Sequence, residues 1–273
     1  MNTSRPAVAD PRTLLPPVHR VFRVQLESVA GRVGLATIAV TLMVAVGITI
    51  NVLTREITDQ QGAFGWGMLP YFGMAQSIGM AVALLFPAAV WDGLPPHRRT
   101  ALHALPVDRK KHELLRVAAG GTIVLLAVGI IYLMAVAMHA RLATPGRPTP
   151  SGIAYLLGAG SLAIGYLLAS VAGLVTRSTL GTILRFLVWG FLGGLLLNVL
   201  GSRYALATRL ADGLIGTLVG GDWGIGTAWL AGLQAMRGIP GAADRAPAVV
   251  AWVVAGLVAV WLAAGRLPRS GRG

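Results

Sequence analysis

WDGLPPHRRTALHALPVDRKKHELL, from Trp91 to Leu115, carries five Arg or Lys side chains, three histidines and three prolines, and it lies between two long apolar runs. Asp92-Gly93 ends the apolar run before it, and Pro95-Pro96 stop any continuation and stiffen the chain. Arg98 to Leu105 then has room for about two helical turns. Ala101, Leu102 and Leu105 share one face of that helix by their i, i+3 and i+4 spacing, while Arg98 and Arg99 lie toward another. Pro106 closes it. Val107-Asp108 restart the chain, with Asp108 in position to cap the next helix, and Arg109, Lys110 and Lys111 gather where lipid headgroups would be. A loop that only pins topology needs charges, but not two proline stops around a leucine-faced helix. A stiff element with an apolar face and a basic rim suits a soluble partner that pushes on a membrane helix.

The runs on either side are membrane spans by length. Of the 273 residues 55% are hydrophobic and 12% charged, and the mean hydropathy is +0.70; a soluble domain is roughly 25% charged. A helix needs about 20 apolar residues to cross a bilayer core. Six segments qualify, over about Val33–Leu53, Met68–Trp91, Val117–Met138, Gly152–Thr176, Leu180–Gly201 and Ala246–Gly265. The fold expected is therefore an all-α integral membrane protein. Residues 1–32 form a cytoplasmic tail with an interfacial helix, residues 33–265 the six-helix transmembrane domain, and residues 266–273 a cytoplasmic tail. No cleavable signal peptide is expected, because the first thirty residues lack a continuous apolar core.

Six spans put both termini on one side. With the termini inside, 16 of the 23 Arg and Lys residues fall on the inner side and 7 on the outer, so both termini and the 91–115 stretch are expected in the cytoplasm. The net charge of +13 then fits topology and anionic lipid rather than nucleic acid. Arginine outnumbers lysine 21 to 2, a bias of GC-rich bacterial genomes, and the expected location is a bacterial inner (plasma) membrane.

Two further segments stand out. In PPVHRVFRVQLESVAGR, Val18, Phe22 and Leu26 recur every four residues while Arg20, Arg23 and Glu27 fall elsewhere, as in a helix lying in the interface; the alternative is an extension of the first span. The loop from Ser202 to Arg245 holds ADGLIGTLVGGDWGIGTAWLAGLQAM, too broken by glycine to span and too apolar for a solvated loop. It reads equally well as a re-entrant or interfacial segment and as an amphipathic loop helix, with Trp223 and Trp229 at headgroup level.

The chemistry within the membrane is sparse. None of the ten acidic residues lies mid-span, which argues against a proton-coupled carrier or ion pump. Cysteine is absent. His112-Glu113 lacks the second histidine of a metalloprotease motif, and no lysine follows a glycine as a P-loop requires. No catalytic residue, cofactor or metal is expected on this chain; any ATP-driven work needs a nucleotide site on another polypeptide. Gln76, Ser77 and Asn198 are the candidates for lining a pathway, or simply bond neighbouring helices. Small residues at packing spacing, Gly190 to Gly194 and the run Gly158, Gly160, Ser161, Gly165, permit close helix approach.

RRTALHALPVDRKKHELLRVAAG, Arg98 to Gly120, resembles the segment after the second span in ABC transporter permeases of the type-2 export class. There a leucine-bearing helix precedes a Leu-Pro-Val-polar-Arg motif, which Leu105, Pro106, Val107, Asp108 and Arg109 match in order. The layout of interfacial helix, six spans and glycine-rich outer loop is similar over nearly the whole chain. The family's usual glycine-threonine and acidic residue are replaced here by Arg99-Thr100 and His103. The resemblance implies two permease copies or homologues paired with two cytosolic ATPase subunits that carry ATP and Mg. It implies a coupling helix whose Arg98, Arg99, Leu102, Leu105 and Arg109 meet the ATPase, with Arg23 and Glu27 touching its other edge. The expectation is a transport subunit, not an enzyme, that exports an amphipathic substrate. Two alternatives are a lipid-processing membrane enzyme using acids of the 92–113 loop, and an anchor or sensor whose basic loop binds a regulator.

Overall fold

The computed structural model of the protein describes residues 18–34, 71–92, 108–142, 150–176, 178–185, 188 and 221–265. Among these every regular element is helical. Helix α1 spans Val18–Val29 and runs on through a π-helical turn, Ala30–Gly34. The remaining named helices are α2 (Tyr71–Asp92), α3 (Arg109–Leu142), α4 (Gly152–Val175), α5 (Ile225–Met236) and α6 (Ala246–Gly265), the last preceded by a 3-10 turn over Ala242–Arg245. Three helical stretches, Lys110–Ala137, Gly152–Val175 and Ala242–Gly265, are long and apolar enough to cross a membrane, and Ala75–Trp91 is a shorter apolar helix. The protein is membrane-embedded and built from helices.

The second, fourth and sixth expected spans coincide with α2, α4 and α6 to within a few residues. Ser151 caps α4 by accepting the Ala154 N–H, and Thr176 ends it. Pro87 lies buried inside α2, where it removes one helical hydrogen bond, as neighbouring helices in a membrane allow. The third span is longer than expected. Its 34 residues make a rod of about 50 Å, well beyond a hydrocarbon core of about 30 Å. Hydropathy alone ends the span at Val117, but RKKHELLR before it holds no Gly or Pro and consists largely of good helix formers, so the helix continues back to Asp108.

Contacts fix the relative directions. Phe72 stacks edge-on against Tyr155 with ring centroids 6.1 Å apart, Gln76 bonds the Gly158 carbonyl, Gly79 faces Leu162 and Trp91 faces Gly173, so α2 and α4 run parallel. Gly160 faces Val249 and Gly256 faces Leu167, so α6 runs parallel to both. Helix α3 is antiparallel, with Tyr132 on Gln76, Gly120 against Phe86 and Lys110 on Trp261. One end of the bundle, here the basic end, thus collects Asp92, Arg109, Val175 and Gly265. The far end collects Tyr71, Leu142, Gly152 and Ala246.

This parity has a consequence for the connections. The chain leaves α4 at the basic end and begins α6 at the far end, so residues 176–245 must travel the length of the bundle. The fifth expected span, about Leu180–Gly201, lies mostly outside the described residues. Its start is described: Ser178 accepts the Gly181 N–H and its carbonyl takes the Thr182 N–H, an N-cap opening a helix over 179–185. The rest of that span, residues 35–53 of the first span, and the glycine pair Gly190 and Gly194 lie outside the described residues. Helix α1 follows α3 in the same sense, with Gln25 at His112 and Gly34 at Ile123.

The core is continuous from the basic end to mid-bundle. Val29, Phe86, Trp91, Val117, Ile123, Val124, Leu162, Tyr166 and Val260 are buried together. The outward faces of α3 and α6 expose Leu125, Leu126, Leu133, Val250, Val254, Leu257 and Trp261, as helices in lipid do.

Candidate functional site

The site expected from the sequence lies where the 91–115 stretch enters the bundle. Arg98, Arg99, Leu102 and Leu105 fall outside the described residues, so the structure takes up the stretch at Asp108. Asp108 caps α3: its Oδ1 accepts the Lys110 N–H at 3.1 Å and its carbonyl accepts the His112 N–H at 3.0 Å. The reason is the one read from the sequence, since a carboxylate before the first turn satisfies an orphan N–H and meets the positive end of the helix dipole. Arg109 opens the helix.

Behind the cap, α3 is clamped on several sides. His112 Nε2 lies 2.6 Å from the Gln25 amide nitrogen of α1. Glu113 and Arg116 form an i, i+3 pair at 3.6 Å with both side chains largely buried. Tyr166 of α4 donates its hydroxyl to the Val117 carbonyl at 2.5 Å. Lys110 Nζ sits 3.2 Å above the Trp261 ring of α6. Residues 110–117 are therefore tied to α1, α4 and α6 within two turns of the point where the 93–107 connection ends.

On α1, Arg23 Nε donates to Glu27 Oε1 at 2.8 Å, with both side chains mostly exposed. The carboxylate raises the already high Arg23 pKa, and at this exposure the pair adds little to stability. Its importance is as a free polar edge on the side of α1 away from Gln25 and Val29, which are buried.

The candidates for a pathway separate. Gln76 is fully buried; its Nε2 donates to the Gly158 carbonyl at 3.1 Å and its Oε1 accepts from Tyr132 Oη. It thus bonds α2 to α3 and α4, the second of the roles open to it from sequence. Ser77 donates to the Gly73 carbonyl of its own helix at 2.9 Å. Asn198 lies outside the described residues. Tyr132→Phe and Gln76→Leu should each destabilise, while the double variant should cost less than their sum by about 1 kcal/mol, because each single change strands the other's buried polar atom. Thermal unfolding of the four proteins in detergent measures this; strict additivity would mean that the pair is not coupled.

A second constellation was only half legible. Ser161 of α4 donates to the Ala228 carbonyl at 3.3 Å and accepts the Gly232 N–H at 2.9 Å, so one hydroxyl serves both ends of a single turn of α5. Trp229 lies against Gly165, thirteen residues or about 20 Å along α4 from Gly152, and Trp252 Nε1 donates to the Trp223 carbonyl at 2.9 Å. Trp229 is thus placed alongside the middle of α4, and Trp223 alongside the second turn of α6. Gly158, Ser161 and Gly165 leave the room for this approach. At the far end, Arg237 follows α5 beside Gly73 and Arg245 bonds Gln234. Helix α5 therefore begins deep against α4 and rises to the far end. No cluster of potential metal ligands occurs among the described residues.

No protein-family model, no curated protein and no solved structure matches the chain.

Proposed function

We propose that this chain is the membrane-spanning permease subunit of an ATP-driven exporter. The observation that carries the proposal is mechanical. The proline-bracketed stretch runs, through the Asp108 cap, directly into a continuous helix of 34 residues that packs against α1, α2 and α6 and is hydrogen-bonded to α4. In this reading a displacement applied near residues 98–105 reaches, three residues on at Asp108, the start of a stiff rod that bears on most of the bundle.

In this reading both termini and the basic end are cytoplasmic, in a bacterial inner membrane. Two cytosolic ATPase subunits, holding ATP and Mg, meet the leucine face of the coupling helix and, at another edge, Arg23 and Glu27 of α1. Closure of the ATPase pair moves α2 and α3 against a second permease copy or homologue and opens a path outward. The cargo is amphipathic, because the described spans hold no mid-membrane charge to receive a small ion. Affinity purification from native membranes should then recover a P-loop ATPase in fixed ratio, and the reconstituted pair should move an amphipathic reporter with ATP but not with a non-hydrolysable analogue. Recovery of the chain alone, or turnover of lipid by the chain without ATP, would reject the proposal.

A further inference from the structure

At the basic end the start of α3 crosses the end of α6. Lys110 Nζ lies 3.2 Å above the Trp261 ring, and the same side chain runs past Gly265, where a Cβ would meet its last carbons at 3.8–3.9 Å. Trp261 is nonetheless 53% exposed. Its ring is covered on one side by the ammonium stem and open on the other. From Trp261 toward the far end, Leu257, Val254 and Val250 continue one exposed stripe, each at least half open.

Among the described residues no carboxylate neutralises the charge at the top of this stripe, and Lys110 has no ion pair with one. The nearest acid in sequence, Asp108, is engaged with the helix N–H groups, while Arg109 and Lys111 flank Lys110 and Arg266 follows Gly265 directly. An ammonium held over an indole keeps part of its attraction to an anion while losing much of the rotamer freedom that a lysine gives up on binding. A cation fixed at the head of a vertical apolar stripe has the two-part chemistry of one class of partner.

We infer that the crossing of α3 and α6 is a binding site for an anionic phospholipid. Its phosphate sits at Lys110, and an acyl chain lies along Trp261, Leu257, Val254 and Val250. The charge complementarity argues for lipid: Arg109, Lys110, Lys111 and Arg266 gather in sequence at the head of the stripe, and a second copy would bring the same basic end to it, whereas an anionic headgroup above an acyl chain matches a cation above an apolar stripe. The site goes beyond transport and holds whether or not an ATPase partner exists.

The test uses the full-length protein in phosphatidylcholine vesicles that contain either brominated phosphatidylglycerol or brominated phosphatidylcholine. The quenching assigned to Trp261 is the difference between the protein and its Trp261→Phe variant. Brominated phosphatidylglycerol should compete for the site about fivefold better than brominated phosphatidylcholine, the factor expected of one lysine at an anionic surface. The preference should vanish in Lys110→Gln and persist in Lys110→Arg, with helix content unchanged. Equal quenching by the two lipids would overturn the proposal, as would a preference that survives Lys110→Gln. No quenching by either lipid would mean that protein covers the stripe, and would overturn it too.

Discussion

Replacing Gly232 by leucine should cost about 3–4 kcal/mol and lower the unfolding temperature in detergent by roughly 10 °C. A Cβ at this position would lie 2.6 Å from Ser161 Oγ, 2.7 Å from the Leu157 carbonyl oxygen and 2.8 Å from Gly158 Cα. Two of those three atoms are backbone of α4, which cannot rotate away as a side-chain tip would. The helices must separate, and with them go the two hydrogen bonds of Ser161 to α5 and the seating of Trp229 on Gly165. Overpacking typically costs about 1–3 kcal/mol, and a lost interhelical hydrogen bond in a membrane adds about 0.6–1.7 kcal/mol. Gly129→Leu is the control: a Cβ there meets nothing within 4 Å, so the same change should be nearly neutral. Equal melting temperatures for the two variants would show that α5 is not seated against α4. Ser161→Ala should fall between them, because it strands the Gly232 N–H without moving a backbone.

That seam marks the limit of what the sequence discloses. Length and hydropathy are enough to find α4 and α6, because an apolar run in a membrane leaves its helix no other way to satisfy the backbone. The Asp108 cap is legible for a local reason: a short acid after a proline and before a helix-forming run has one low-energy place to put its oxygens. The small residues Gly158, Ser161 and Gly165 announce a close approach on α4, but periodicity cannot name the partner. Gly232 lies 71 residues beyond Ser161, inside a loop whose own pattern allows two readings. Gln76 is similar. A lone amide in a span signals either a path or a bond, and its bonding partner Tyr132, 56 residues away, is not in its local pattern. The extra length of α3 escapes a hydropathy reading because its first two turns are polar, and only the absence of a breaker points to helix.

The largest functional effect should come from a carboxylate at Leu102 or Leu105 of the proposed coupling stretch. If Leu102 and Leu105 meet a partner ATPase, Leu102→Asp forfeits about 1.5–3 kcal/mol of apolar burial and brings an uncompensated charge into the contact, a further cost of several kcal/mol. Arg98 and Arg99 lie close enough in sequence to offset part of this, but an exposed pair gives back at most about 1 kcal/mol. The net of about 4 kcal/mol corresponds to a loss of on the order of a thousandfold in partner affinity, and ATP-driven transport should fall with it. Leu102→Met, which keeps volume and polarity, should retain association. Arg98→Gln should act differently, changing the rate and salt dependence of association more than its final strength. The same variants separate a lever from a topology pin. A pin works through positive charge, so Leu102→Asp would leave insertion, melting temperature and any partner untouched, whereas removing the arginines would redistribute the spans. A lever fails in the opposite order: Leu102→Asp and Leu105→Asp insert and melt normally, yet lose the ATPase. Unchanged association of both aspartate variants with a co-purifying ATPase would remove the coupling role from this stretch.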